Sequence, residues 1–139
     1  MNAPCVVVTD KSIEKFEERR SILNIKNLGR RELLRMKVDG CLVVNGRRCD
    51  WLLVDKETGI EVFIELKGAD VDEAIKQLCA SVESLSKKPK KKYGYVVCTR
   101  CPIASPAIQK LQKSVLKSHS LNLRIKKTVH TEDIEALIV

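Results

Sequence analysis

Apolar and polar positions along the chain change period several times, and each change predicts an element. From Asp70 onward, Val71, Ala74, Ile75, Leu78, Cys79, Val82 and Leu85 recur at three- and four-residue intervals, the stripe of a helix packed on one face. Asp70 and Glu73 have capping-box spacing at its start. Gln77 and Ser81 stand one turn apart on the flank of that stripe. Upstream the pattern is that of strands. "RMKVDGCLVV" alternates, Asn45-Gly46 is a hairpin signal, and "RRCDWLLVD" returns as a second strand. "KETG" makes another turn and "IEVFIELK" is the third strand. The second and third strands are nearly apolar through their middles, as expected where both faces of a sheet are covered.

Downstream of the helix, "SKKPKKK" reads as a charged loop and "YGYVVCT" as a fourth strand. Ser105 at an N-cap and Pro106 at the first helical position open a further helix through "SPAIQKLQKSVLKSH". "LNLRIKK" adds a fifth strand, while the tail "TEDIEALIV" follows no single period. At the other end, Asp10 can cap a helix through "KSIEKFEERR", with Ile13 and Phe16 on one face. Residues 21–35 are mixed and place no element. The order is helix, three-strand meander, helix, strand, helix, strand. A meander followed by a crossover helix predicts an α/β fold with a mixed central sheet and helices on both faces.

Composition narrows the setting. A chain of 139 residues reads as one domain, residues 1–139, with enough bulk to bury a core unaided. With 44% hydrophobic and 32% charged residues it is globular in composition. No apolar run approaches the roughly 20 residues that span a bilayer, and "MNAPCVVVTD" lacks the basic start and long apolar stretch of a signal peptide. The expected location is cytoplasmic, or nuclear in a eukaryotic or viral context. In that setting the six cysteines are expected as reduced thiols. Cys98 and Cys101 have the CxxC spacing of zinc and redox sites, without a second ligand pair beside them. A net charge of +8 points toward a polyanionic partner, nucleic acid being the commonest. Lys87, Lys88, Lys90, Lys91 and Lys92 are candidate phosphate contacts, with a solvated loop as the plain alternative. An aromatic content of 4% argues against a base-stacking surface for single strands.

The most specific stretch is "RRCDWLLVDKETGIEVFIELKGAD". A strand has period two, so Glu65 and Lys67 project to one face and Leu66 to the other. In an antiparallel pair the start of the second strand lies beside the end of the third. Asp50 is therefore expected near Glu65 and Lys67. Two neighbouring carboxylates repel and raise each other's pKa unless a cation neutralises them. A divalent oxygen-seeking ion does so, and a lysine beside it can orient a water or steady developing negative charge. The plain alternative is an ion pair at a sheet end.

Asp50, fourteen intervening residues, then Glu65-Leu66-Lys67 resembles the PD-(D/E)xK nuclease superfamily, which includes restriction enzymes and Holliday junction resolvases. The resemblance covers roughly residues 10 to 100, and the element order above is similar to that superfamily's core. It implies a restriction-endonuclease-like fold and a Mg²⁺- or Mn²⁺-dependent endonuclease acting on DNA, or less readily RNA. It further implies that Asp50 and Glu65 hold the ion, with the Leu66 carbonyl as an added ligand, and that Lys67 orients the attacking water. A glutamate from the first helix is implied too: Glu17 fits best, with Glu14, Glu18 and Glu32 as alternatives. Gln77 corresponds to a glutamine that some branches place on the helix after the motif. Cys49 stands where the nominal motif has proline. So small a domain has little room to encircle a duplex, so a homodimer or partner protein is an open expectation. A non-catalytic module binding nucleic acid or protein on the same fold is the alternative, and a basic ligand-binding or regulatory domain is the third.

Overall fold

The computed structural model describes residues 4–101 and 105–139. Twelve elements follow one another in the described residues. They are β1 (Val6–Thr9), β2 (Ile13–Glu18), β3 (Ser21–Lys26), β4 (Leu33–Lys37), β5 (Trp51–Asp55), β6 (Glu61–Lys67), α1 (Val71–Leu85), β7 (Lys92–Cys98), α2 (Pro106–His119), β8 (Leu121–Lys127), β9 (Val129–Asp133) and α3 (Ile134–Leu137).

Six strands form one mixed sheet in the order β1-β4-β5-β6-β7-β8. The pairings from β1 through β6 are antiparallel, and β6 with β7 and β7 with β8 are parallel. The two parallel steps are joined by α1 and α2, as crossover connections require. Both helices lie on one face, where Phe63, Leu78, Val82, Val96, Val115 and Leu121 pack together. The sequence predicted helices on both faces. Instead, the second face carries a small sheet, β2-β3-β9, with the single turn α3. Phe16, Leu23, Ile25, Ile134 and Leu137 bury against Ile64, Tyr95 and Val97 there. The two sheets share that core.

The segment expected as a first helix is therefore the strand β2. Its inward positions are Glu14 and Phe16, and its outward ones include Ile13, which is exposed. An inward glutamate inverts the usual alternation, leaving only the Ile13/Phe16 spacing, which imitates a helix. Glu14 tolerates burial because Thr9 Oγ1 donates to it at 3.0 Å and Arg35 bonds it at 3.2 Å. The turn Arg19-Arg20 that joins β2 to β3 has Arg19 at φ 53° and contains no glycine or asparagine to announce it.

A second correction concerns Asn45-Gly46. The register pairs Lys37 with Trp51, so residues 38–50 form a long connection rather than a two-residue hairpin at that dipeptide. Val38 N–H donates to the Asp50 carbonyl at 3.1 Å, which ties the loop's start to its end. The cysteines also depart from expectation: Cys5 pairs with Cys41 and Cys98 with Cys101, leaving Cys49 and Cys79 free. Asp70 and Ser105 cap α1 and α2 as the sequence predicts, accepting from Glu73 N–H and Ile108 N–H.

Candidate functional site

At the end of β6, three sequence-predicted side chains meet. Trp51 lies opposite Ile64, so Asp50, one residue before β5, falls beside Glu65. Two hydrogen bonds from backbone N–H groups lock this arrangement. Asp50 N–H donates to the Ile64 carbonyl at 3.0 Å, and Leu66 N–H donates to Asp50 Oδ2 at 2.8 Å. Lys67 Nζ lies 3.5 Å from Glu65 Oε2. Glu65 is 2% exposed, and its other oxygen, Oε1, is buried with no hydrogen-bond partner among the described residues.

The energetics follow from that burial. Loss of water pushes the Glu65 carboxyl up to about 8, with the neighbouring Asp50 charge adding to the rise and Lys67 opposing it. Asp50 is raised to about 6, again chiefly by burial, while the Leu66 N–H partly offsets this. Glu18 and Asp39 add further repulsion at Asp50. Near neutral pH the pair thus holds a proton that a cation would displace.

The α1 helix completes the floor. Gln77 lines the same cavity, and its Oε1 is likewise buried without a partner among the described residues. One turn on, Ser81 Oγ accepts from Cys49 N–H at 2.8 Å and fixes the residue before Asp50. Cys49 is fully buried and its thiol is pushed up to about 12 by burial, so it is an inert packing group.

The cavity is open, about 930 Å³ in volume, and walled by four segments: the β2–β3 turn, the 38–50 loop, the first turns of α1, and Thr99-Arg100 after β7. Two of these walls are tied to the exit of β6. Ser21 Oγ donates to the Lys67 carbonyl at 3.1 Å. Thr99 N–H, Thr99 Oγ1 and Arg100 N–H all donate to the Gly68 carbonyl, at 3.0, 2.9 and 2.9 Å. Leu66 also lines the cavity, its N–H being the group that holds Asp50.

Two groups of predicted residues lie elsewhere. Glu17 does not line the cavity; it pairs with Lys15 at 3.3 Å on the outer face of β2. Glu14 is buried beneath Arg35, and Glu32 pairs with Lys56. Of the four candidate glutamates, Glu18 alone lines the cavity. Strand period two explains the exchange, since adjacent residues of a strand face opposite ways and those of a helix do not. The lysine loop lies at the far end of the sheet. Lys92 pairs in register with Glu61, six residues before the Lys67–Cys98 pair, a separation of about 20 Å along the strands. Lys92 is buried, Lys91 Nζ donates to the Val139 carbonyl at 2.6 Å, and Lys87 N–H donates to Glu61.

The cations that do line the cavity, besides Lys67, are Arg19, Arg20, Arg47, Arg48 and Arg100. Sequence reasoning passed over them because they are scattered, two forming the β2–β3 turn, two before Cys49 and one after β7. The doubled arginines of "EERRS" and "GRRCD" were the available signal. Comparison with protein-family models, with curated proteins and with solved structures found no match to this chain.

Proposed function

We propose that this protein is a divalent-cation-dependent nuclease of restriction-endonuclease-like type, hydrolysing phosphodiester bonds of DNA, with RNA as the less favoured substrate. One observation carries the reading: Asp50 and Glu65 are held side by side, largely out of water, with an unpartnered oxygen and a lysine beside them. A pair of carboxylates that cannot both ionise unaided suits a hard cation that takes one or two carboxylates and completes its shell with water and phosphate oxygens. Asp50 and Glu65 would hold Mg²⁺ or Mn²⁺, with the Leu66 backbone available on the same wall. When bound, the ion would neutralise the carboxylates and stabilise charge on the phosphate.

The chain's own groups do the rest. Leu66 N–H keeps Asp50 aimed at Glu65. Lys67, freed from Glu65 once the carboxylates have another partner, can orient a water and steady negative charge in the transition state. Gln77, with its free buried oxygen, can accept a hydrogen bond from that water or from the substrate. The alternative of a non-catalytic nucleic-acid-binding module uses the same basic cavity and differs only in lacking turnover. The test is incubation of supercoiled plasmid and labelled single-stranded, duplex and branched DNA, and RNA, with Mg²⁺, Mn²⁺ or EDTA. Metal-dependent cleavage is expected. Binding without cleavage of any substrate under any metal would favour the module.

A further inference from the structure

Of the five arginines around the cavity, two are already engaged. Arg47 makes a forked contact with Glu73 at 3.0 and 3.4 Å, and Arg48 bonds Asp39 and the Gly46 carbonyl, each at 2.7 Å. Arg19, Arg20 and Arg100 have no acidic partner within ion-pair distance among the described residues, although all three line the same cavity. They come from two turns far apart in sequence, and both turns are anchored on consecutive carbonyls. Ser21, directly after Arg20, holds the Lys67 carbonyl, and Arg100's own N–H holds that of Gly68. The backbone bearing these guanidiniums is thus fixed relative to the carboxylate pair, while the charged ends are left exposed.

We propose that Arg19, Arg20 and Arg100 form a phosphate-binding surface that grips a polynucleotide strand beside the Asp50–Glu65 pair, independently of any cation held there. Gathering three unpaired guanidiniums at one mouth costs repulsion that a polyanion relieves, and the planar fork of arginine matches phosphate oxygens two at a time. The lysine loop at the other end of the sheet plays no part in that grip. The proposal rests on the nuclease reading for its substrate and adds which residues hold that substrate.

Binding in EDTA, where no cleavage is expected, isolates the surface. Fluorescence polarisation of labelled single-stranded and duplex oligonucleotides would be followed against salt for the full chain. The variants are Arg19→Asn/Arg20→Gln, Arg100→Gln, the triple combination, and Lys87→Gln/Lys88→Asn/Lys90→Gln. Asparagine is chosen at Arg19 and Lys88 because those positions have a positive φ, which asparagine tolerates. Each phosphate contact contributes about 0.7 to 0.9 to the slope of log K against log salt, so the triple variant should lose about 2 from that slope. Its affinity at low salt should fall by about tenfold or more. The lysine variant should match wild type, and Arg20→Lys/Arg100→Lys should restore most of the slope. An unchanged slope in the triple variant, or an equal loss in the lysine variant, would overturn the surface. Arginine-dependent binding with no cleavage under Mg²⁺ would leave the surface standing and remove the nuclease reading. Cleavage with no arginine dependence would do the reverse.

Discussion

At the scale of single residues, burial raises the pKa values of two carboxyls on folding. Glu65 near 8 and Asp50 near 6 lie above ordinary values of 4.5 and 3.8. Between those limits the folded chain therefore keeps protons that the unfolded chain has released, and stability falls as pH rises. Full stability is present below about pH 4 for these two groups and is lost as pH passes through 6 and 8. Metal-free protein should thus melt at a lower temperature at pH 8 than at pH 5.5, a window set by the two raised carboxyls. Glu65→Gln should flatten that dependence and raise the melting temperature at the alkaline end. Mg²⁺ should do the same for wild type and nothing for Glu65→Gln. Thermal melts across pH with and without the ion check all three statements. An alkaline melting point equal to the acid one, in EDTA, would mean that the pair is not buried as described.

These residues were the part of the site most legible in the sequence, because strand period and a meander suffice to bring Asp50, Glu65 and Lys67 together. Gln77 came only from the resemblance, since a place on the flank of the helix stripe does not by itself set it apart from a solvated residue. Glu17 was not legible, because its placement depended on a helix that is a strand. The arginines were not legible either, since only the folded turns bring Arg19 and Arg20 beside Arg100.

At the scale of elements, α1, α2 and the strands β5 to β8 were readable because each carries its own local signal: a cap, a stripe or an apolar run. The small sheet was not. Its β9 pairs in parallel with β3 across about a hundred residues, a contact no local pattern reports. Two predictions belong here. Gly94 in β7 lies beneath Leu121 and Leu78, and a Cβ there would meet Leu121 Cδ2 at 2.9 Å. Gly94→Ala should therefore destabilise by about 1–3 kcal/mol through overpacking, as chemical denaturation would measure. Ser81→Ala leaves Cys49 N–H without its buried acceptor, at a cost of about 1–3 kcal/mol. Because Cys49 leads directly into Asp50, this variant should weaken Mg²⁺ binding as well as stability. Gly94→Ala, which touches only the core, should not.

At the scale of the whole molecule, charge is distributed unevenly for a reason. The chain carries +8 overall. The lysines of the 87–92 loop lie at one end of the sheet, and the arginines of the cavity lie at the other, beside buried acids. Composition revealed the net charge, but only the topology separates the two basic regions. No described helix is long and apolar enough to cross a membrane. The disulfide between Cys5 and Cys41 staples the β1 edge to the cavity's outer loop across a separation of 36 residues. In the chain-entropy view such a loop is worth about 3–4 kcal/mol, so Cys5→Ser/Cys41→Ser should lower stability by that order against wild type in a denaturation series under non-reducing conditions.

In the proposed function Asp50, Glu65 and Lys67 act together in hydrolysis, with distinct roles. The most direct measurement is single-turnover cleavage of a labelled DNA substrate in Mn²⁺, paired with Mn²⁺ binding by calorimetry, for wild type and Lys67→Ala. Lys67→Ala is expected to bind the ion still but to cleave about 10²-fold or more slowly, the scale of losing one preorganised donor. Cleavage by Lys67→Ala at the wild-type rate, or a wild type that binds no Mn²⁺, would contradict the proposed function.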